Sequence, residues 1–144
     1  MVKAAMTGIL LANLLLRTNH KDGFILMGHS LGARVIFYCL EALSTRQETS
    51  VLDAYLLGGA IGVDEPSDWD NASQAISGKI YNIYSKNDAV LNNLYRGANA
   101  FLSNPIGLQP IYCSSEKVQN FDASSIVAGH MKHKIAFADV LRIL

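Results

Sequence analysis

The sequence predicts an α/β fold, a parallel sheet flanked by helices, and three observations carry the prediction. Short apolar runs alternate with longer stretches of helical periodicity, the pattern of strands that pair in parallel and are covered on both faces. One run, Phe24-Ile25-Leu26-Met27, leads into Gly28-His29-Ser30-Leu31-Gly32 and then into a helix-like stretch, Ala33 to Leu40. Ser30, Asp88 and His130 each fall just after a predicted strand, at the edge of such a sheet where ligands bind.

Residues 2–17 read as one helix, apolar on most faces and expected to be buried against the sheet. The apolar part is too short to span a bilayer, and no small-x-small cleavage site follows it, so a buried helix is expected, with a signal peptide as the alternative. His20-Lys21-Asp22-Gly23 is a polar turn, and residues 24–28 form a buried strand. A helix over 31–45 ends in the polar stretch Ser44 to Ser50. Val51 to Leu57 is the second strand, broken by Gly58-Gly59 in the manner of a parallel strand reaching the active edge. Residues 62–73 are expected to be a polar loop around Pro66 and Trp69. Ile80 to Tyr84 is the third strand, and a short helix follows from Val90 to about Tyr95. Residues 97–109 read as a loop, and Pro110–Cys113 with Lys117–Phe121 as one interrupted strand or a hairpin. Ala128-Gly129-His130 is a turn, and 132–143 is a final helix.

The chain has 144 residues, half of them hydrophobic, enough for one globular domain with a core. Lys plus Arg and Asp plus Glu are balanced at 12 each, and no basic stripe is present, which argues against nucleic-acid binding. Cys39 and Cys113 form no framework pattern and read as free thiols, the first in a helix and the second in or beside a strand. A cytoplasmic location fits these features. No His, Cys, Asp or Glu cluster has metal-ligand spacing and no glycine-rich loop resembles a phosphate cradle, so no metal or cofactor is expected.

Gly28-His29-Ser30-Leu31-Gly32 has the form Gly-x-Ser-x-Gly, and its strand-before, helix-after context is that of a nucleophile elbow. The bare pattern arises by chance about 0.05 times in a chain this long. An elbow holds its serine in a strained conformation at a sharp turn, clear of the sheet. A Cβ at Gly28 or Gly32 is expected to collide where the chain doubles back. The helix N-terminus faces the serine, and the Leu31 N–H is placed as one oxyanion-hole donor. A passive serine in a small-residue turn is the plain alternative.

A serine hydroxyl needs a base within reach, and the base needs an orienting carboxylate. Ser30, Asp88 and His130 occur in the order serine, acid, histidine. Asp64, Asp68 and Asp70 are rival acids, and a helix N-cap is the plain role for Asp88. His20, His29 and His133 are rival bases; His29, at the variable elbow position, is aimed away from Ser30, and His133 falls inside the last helix.

Gly28-His29-Ser30-Leu31-Gly32-Ala33-Arg34-Val35 is similar to the elbow of lipase-like α/β-hydrolases. With Asp53-Ala54-Tyr55-Leu56-Leu57-Gly58-Gly59, Tyr81 to Asp88, Tyr95-Arg96 and Gly129-His130, the chain resembles the uncharacterised hydrolase family of the transmembrane and coiled-coil domain-containing proteins. The resemblance implies a serine hydrolase with Ser30, Asp88 and His130 as its triad, acting on carboxylic or lipid esters. It also implies a partial α/β-hydrolase fold. Only one helix precedes the elbow strand, so the strands and the second oxyanion-hole loop of a full hydrolase have no counterpart here. Residues 1–144 then form a single, truncated domain whose partners are a small-molecule or lipid ester and a second copy or partner chain completing the sheet. The alternative is a catalytically weak hydrolase-fold module whose role is to pair with another chain.

Overall fold

The computed structural model describes residues 2–18, 21–46, 51–62, 66–98 and 105–144. It is an α/β fold in which strands β1 (Phe24–His29), β2 (Val51–Leu57), β3 (Ile80–Tyr84) and β4 (Val118–Asp122) pair in parallel, in the order of the chain. Helices α1 (Val2–Arg17), α2 (Leu31–Ser44), α3 (Pro66–Gln74), α4 (Ala89–Ala98) and α5 (His133–Leu141) surround the sheet. A parallel connection needs a crossover, and the helices supply it.

Strand periodicity sorts the core into two faces. Ala54, Leu56 and Ile80 point to one face, where they meet Ile36, Phe37, Leu40 and Leu43 of α2 and Trp69, Ala72 and Ala75 near α3. Leu57 and Ile83 point to the other, where Ala136 and Val140 of α5 cover them together with Ala123 and Val127. On β1 the second face is uncovered: Ile25 and Met27 are 62% and 57% exposed.

Helix α1 packs against α2 rather than lying buried on the sheet. Gly8 allows the approach, since a Cβ there would lie 2.7 Å from both Tyr38 Cβ and the Val35 carbonyl oxygen. Ala12 and Leu15 are buried, whereas Met6, Leu10 and Leu14 are exposed.

The segment expected to be a polar loop at 62–73 contains α3. Pro66 stands at its first position, where a missing N–H costs nothing, and Trp69 and Ala72 recur at helical spacing on the buried side. Trp69 is 1% exposed and its ring lies 4.7 Å from that of Phe37.

Residues 110–113 form neither a strand nor half of a hairpin. The Ile111 N–H donates to Asn120 Oδ1 at 2.7 Å and the Ile111 carbonyl accepts from Asn120 Nδ2 at 2.8 Å, so a side chain replaces the ladder. Buried Asn82 donates to the same Asn120 Oδ1 and to the Gln109 carbonyl. Cys113 therefore lies in a loop, half-buried, while Cys39 is buried in α2; both are free thiols. Burial pushes the Cys39 thiol up to about 12 and raises that of Cys113 as well.

Trp69→Ala is expected to destabilise the fold by about 3–5 kcal/mol, because it empties the contact between α3 and α2. Urea denaturation measures this, and a loss under about 1 kcal/mol means that α3 is not part of the core.

Candidate active site

Ser30 sits between β1 and α2 with φ 57° and ψ −114°, and among the described residues it is the only non-glycine with positive φ. Such a conformation costs about 1–3 kcal/mol and persists only where the surroundings over-determine it. They do so here through the end of β2. The Ser30 N–H donates to the Leu57 carbonyl at 3.0 Å, and the Ser30 carbonyl accepts from the Ala60 N–H at 3.1 Å. Serine at a helix N-cap normally lends its oxygen to the helix, yet Ser30 makes no side-chain cap bond. Its hydroxyl is not consumed by structure.

The two elbow glycines differ. A Cβ on Gly28 would lie 2.5 Å from the Gly32 carbonyl carbon and 2.7 Å from Ala33 N, so the strand can approach the helix only with glycine there. A Cβ on Gly32 would meet nothing within 4 Å, which corrects the expectation of a collision. The crowding is one-sided: the Gly32 backbone is the wall, and its own Cα faces open space.

Asp88 follows β3 after the turn Ser85-Lys86-Asn87 and is fully buried. Its Oδ1 accepts the Leu91 N–H at 3.0 Å, so it is the N-cap of α4. Its Oδ2 accepts Nδ1–H of His130 at 2.7 Å. The helix cap and the histidine contact fall on separate oxygens. Burial alone raises the Asp88 pKa, but the contacts from His133, the Leu91 N–H and His130 outweigh it and hold the carboxyl below its ordinary value. With Nδ1 donating to Asp88, Nε2 of neutral His130 is left as the acceptor nitrogen.

His130 lies in a single helical turn, His130–Lys132, just before α5. Two contacts fix it from outside that turn. Nε2–H of His29 donates to the His130 carbonyl at 2.9 Å, with the two rings 4.5 Å apart. Ser85 Oγ donates to the Val127 carbonyl at 2.7 Å, holding the segment before His130 against the end of β3. Burial lowers the His29 pKa; the bond to the His130 carbonyl opposes this, and the neighbouring His130, His133 and Lys134 add to it.

Ser30, Asp88 and His130 thus stand at the carboxyl edge of the sheet, after β1, β3 and β4. The Asp88–His130 arm is closed; no hydrogen bond joins Ser30 Oγ to His130. Such arms are commonly open before substrate binds. Among the rivals, Asp70 accepts the Ser114 and Ser115 N–H groups at 2.8 Å each, a structural duty, and Asp68 lies on α3. Asp64 and His20 lie outside the described residues. Among the described residues no cluster of His, Cys, Asp and Glu is arranged to hold a metal ion.

In the sequence, His29 and His133 are visible only as rival bases, and nothing in the pattern points to the places they take. His29 braces the His130 turn from the end of β1, and His133 lies against Asp88. Gly58, with φ +50°, was recognised only as a strand break; a Cβ on it would lie 2.8 Å from the His133 ring and 3.4 Å from Asp88 Oδ2. The break is room for the acid and its neighbours.

Two outcomes follow for stability. Gly28→Ala is expected to cost about 2 kcal/mol or more, while Gly32→Ala is neutral or stabilises by up to about 1 kcal/mol, as read from paired urea melts. Equal losses at the two positions contradict the one-sided elbow. The second concerns His29, whose folded pKa lies below its unfolded value of 6.5. The unfolded chain takes up the proton first, so stability is complete above that pH and falls as pH drops toward the folded pKa. His29→Gln is expected to reduce the fall in the urea midpoint between about pH 7.5 and about pH 5, and an unchanged slope rules out the assignment.

A family model described as "Protein of unknown function (DUF726)" matches residues 1–144. "Uncharacterized membrane protein F35D11.3" of Caenorhabditis elegans is 37% identical over 142 residues, covering 96% of this chain and 23% of the relative. "Transmembrane and coiled-coil domain-containing protein STS1" of Oryza sativa subsp. japonica is 36% identical over 121 residues, 83% of this chain and 18% of the relative. "Probable lipase MIL1" of Saccharomyces cerevisiae is 29% identical over 141 residues, 97% of this chain and 13% of the relative. The chain therefore spans less than a quarter of the length of these relatives. No solved structure matches it. Two of these relatives carry membrane or transmembrane in their names, while among the described residues here no helix is long and apolar enough to cross a membrane. By sequence, the chain belongs to the family described as DUF726, proteins of unknown function.

Proposed function

We propose that this chain carries a serine-hydrolase site of the α/β-hydrolase type that cleaves carboxylic esters through an acyl-enzyme on Ser30. The observation that carries the reading is the 2.7 Å Asp88–His130 pair at the sheet edge where Ser30 stands strained with an uncommitted hydroxyl. The name of one relative, a probable lipase, supports the same chemistry.

In this reading His130 Nε2 takes the Ser30 Oγ proton as Oγ attacks the ester carbonyl. Asp88 stabilises the resulting imidazolium and holds its tautomer. The oxyanion forms at the N-terminus of α2, where the Leu31 N–H, at the first helical position, has no carbonyl partner within the helix. His130 returns the proton to the departing alkoxide, which leaves as the alcohol. Water then attacks the acyl carbonyl carbon as His130 Nε2 takes its proton; the bond from that carbon to Ser30 Oγ breaks, His130 returns the proton to Oγ, and the acid leaves.

A second reading keeps the fold and makes pairing its purpose. It is favoured by β1 standing at the sheet edge with Ile25 and Met27 exposed beside it. In that case another chain or a second copy completes the sheet.

A fluorophosphonate probe with peptide mapping separates the two. Hydrolase chemistry predicts an adduct at Ser30, slowed by roughly 10²-fold or more in His130→Ala. A folded protein that gives no Ser30 adduct removes the first reading and leaves the second.

A further inference from the structure

The mechanism leaves His133 without a task. It is the first residue of α5, 1% exposed, and neither ring nitrogen has a hydrogen-bond partner. A buried imidazole without partners is costly, and cores rarely keep one unless something else requires it. Its Nε2 lies 3.7 Å from Asp88 Oδ2, the oxygen that accepts His130. That is an approach, about 1 Å longer than a made hydrogen bond. The backbone is arranged to permit it: Gly58 turns with φ +50°, and any Cβ there would press on the His133 ring.

We propose that His133 is a positioning residue for Asp88, its Nε2–H serving as a second donor to Oδ2 that keeps the carboxylate turned toward His130. The proposal rests on the hydrolase reading of Ser30, His130 and Asp88 and adds to it a donor outside the triad. Leu91 N–H anchors Oδ1, and because rotation about Cβ–Cγ moves both oxygens together, a donor on Oδ2 adds to the same restraint. His130 reaches Oδ2 from the turn before α5, and His133, three residues later, is the first residue of α5. A shift of α5 that carries His130 therefore carries the second donor with it, and the carboxylate follows both.

The groups that face this carboxylate are His130 from the turn before α5, His133 from α5 and the Leu91 N–H from α4. His29 from β1 stands beside both imidazoles, its ring centroid 4.5 Å from His130 and 5.9 Å from His133, and Lys134 adds positive charge near His29. Removing a donor from the ionised carboxylate raises the proton affinity of the Asp88–His130 pair as a unit.

The test starts on the unaltered protein. Imidazole nitrogen NMR is expected to find His133 protonated at Nε2 and not at Nδ1, and the opposite tautomer overturns the proposal. Two variants then separate position from bulk. His133→Gln places an amide donor near the original Nε2, whereas the shorter amide of His133→Asn reaches only the Nδ1 position. The Gln variant is expected to keep fluorophosphonate labelling of Ser30 within about twofold of the parent. The Asn variant is expected to label roughly tenfold more slowly, with the acid limb of its pH profile moved up by about half a unit. Equal rates and equal limbs in two folded variants overturn the positioning role. If the parent protein does not label at all, the hydrolase reading fails by itself, and the tautomer of His133 still decides whether it donates to Asp88.

Discussion

One buried carboxylate connects most of the site. Asp88 caps α4 through Oδ1 and holds His130 through Oδ2, so a helix start and the turn that carries His130 share one side chain. A carboxylate shut away from water is unfavourable unless each oxygen is partnered. Here both are, and the result is an ionised group at a depth where burial alone favours the neutral form. Its position follows from the fold: β3 delivers it, the Ser85 turn reverses the chain, and α4 begins on it. The helix cap explains why this position is well defined even before any chemistry is considered.

The elbow depends on the neighbouring strand in the same way. The left-handed conformation of Ser30 is stable because β2 ends beside it and supplies the Leu57 carbonyl and the Ala60 N–H. Register matters here. His29 pairs with Leu57 in the β1–β2 ladder, so the last rung of the sheet sits directly before the strained residue. A slip of one residue would reverse the faces of β1 and withdraw both bonds. Gly58 and Gly59 then let the chain pass behind the site, Gly58 against His133 and Gly59 against Ile106. Strain at Ser30, glycine at 58 and the buried carboxylate are parts of one packing problem at the ends of β1, β2 and β3.

Much of this was legible in the sequence because it depends on local rules. The strands at 24–28, 51–57 and 80–84 are short apolar runs with clear breaks, and Gly-x-Ser-x-Gly needs only its two neighbours to be recognised. Asp88 and His130 stand out in the sequence by their order and their places after strands, and the structure brings the two into contact. What was not legible depends on tertiary partners. Helix α3 looks polar because Ser67, Asp68, Asp70 and Asn71 outnumber its buried residues, and only contact with Phe37 shows why Trp69 belongs inside. Residues 110–113 have strand-like composition, but Asn120 takes the Ile111 backbone groups from a distance in sequence. Gly32 fits the motif by letter while its Cα faces open space. His133 appeared to be an ordinary helix residue, since no sequence pattern reveals that its ring lies beside a carboxylate 45 positions earlier.

The apolar surface that remains exposed is separate from the site. On one side, α1 carries Met6, Leu10 and Leu14 outward, with Lys3 and Arg17 at the two ends of the helix. On the other, α5 reaches over β2 and β3 but not over Ile25 and Met27 of β1. A parallel sheet is stable with both faces covered, so the β1 edge is where this fold is physically least complete. None of the hydrogen bonds that hold Ser30, Asp88 or His130 involves α1, Ile25 or Met27, although His29, which donates to the His130 carbonyl, lies on the same face of β1 as those two. The group of Ser30, Asp88 and His130 is built from strand ends, the start of α4 and the turn before α5. A change at Gly58 or Asp88 acts directly on the residues that hold the carboxylate, whereas Ile25 and Met27 lie outside those contacts.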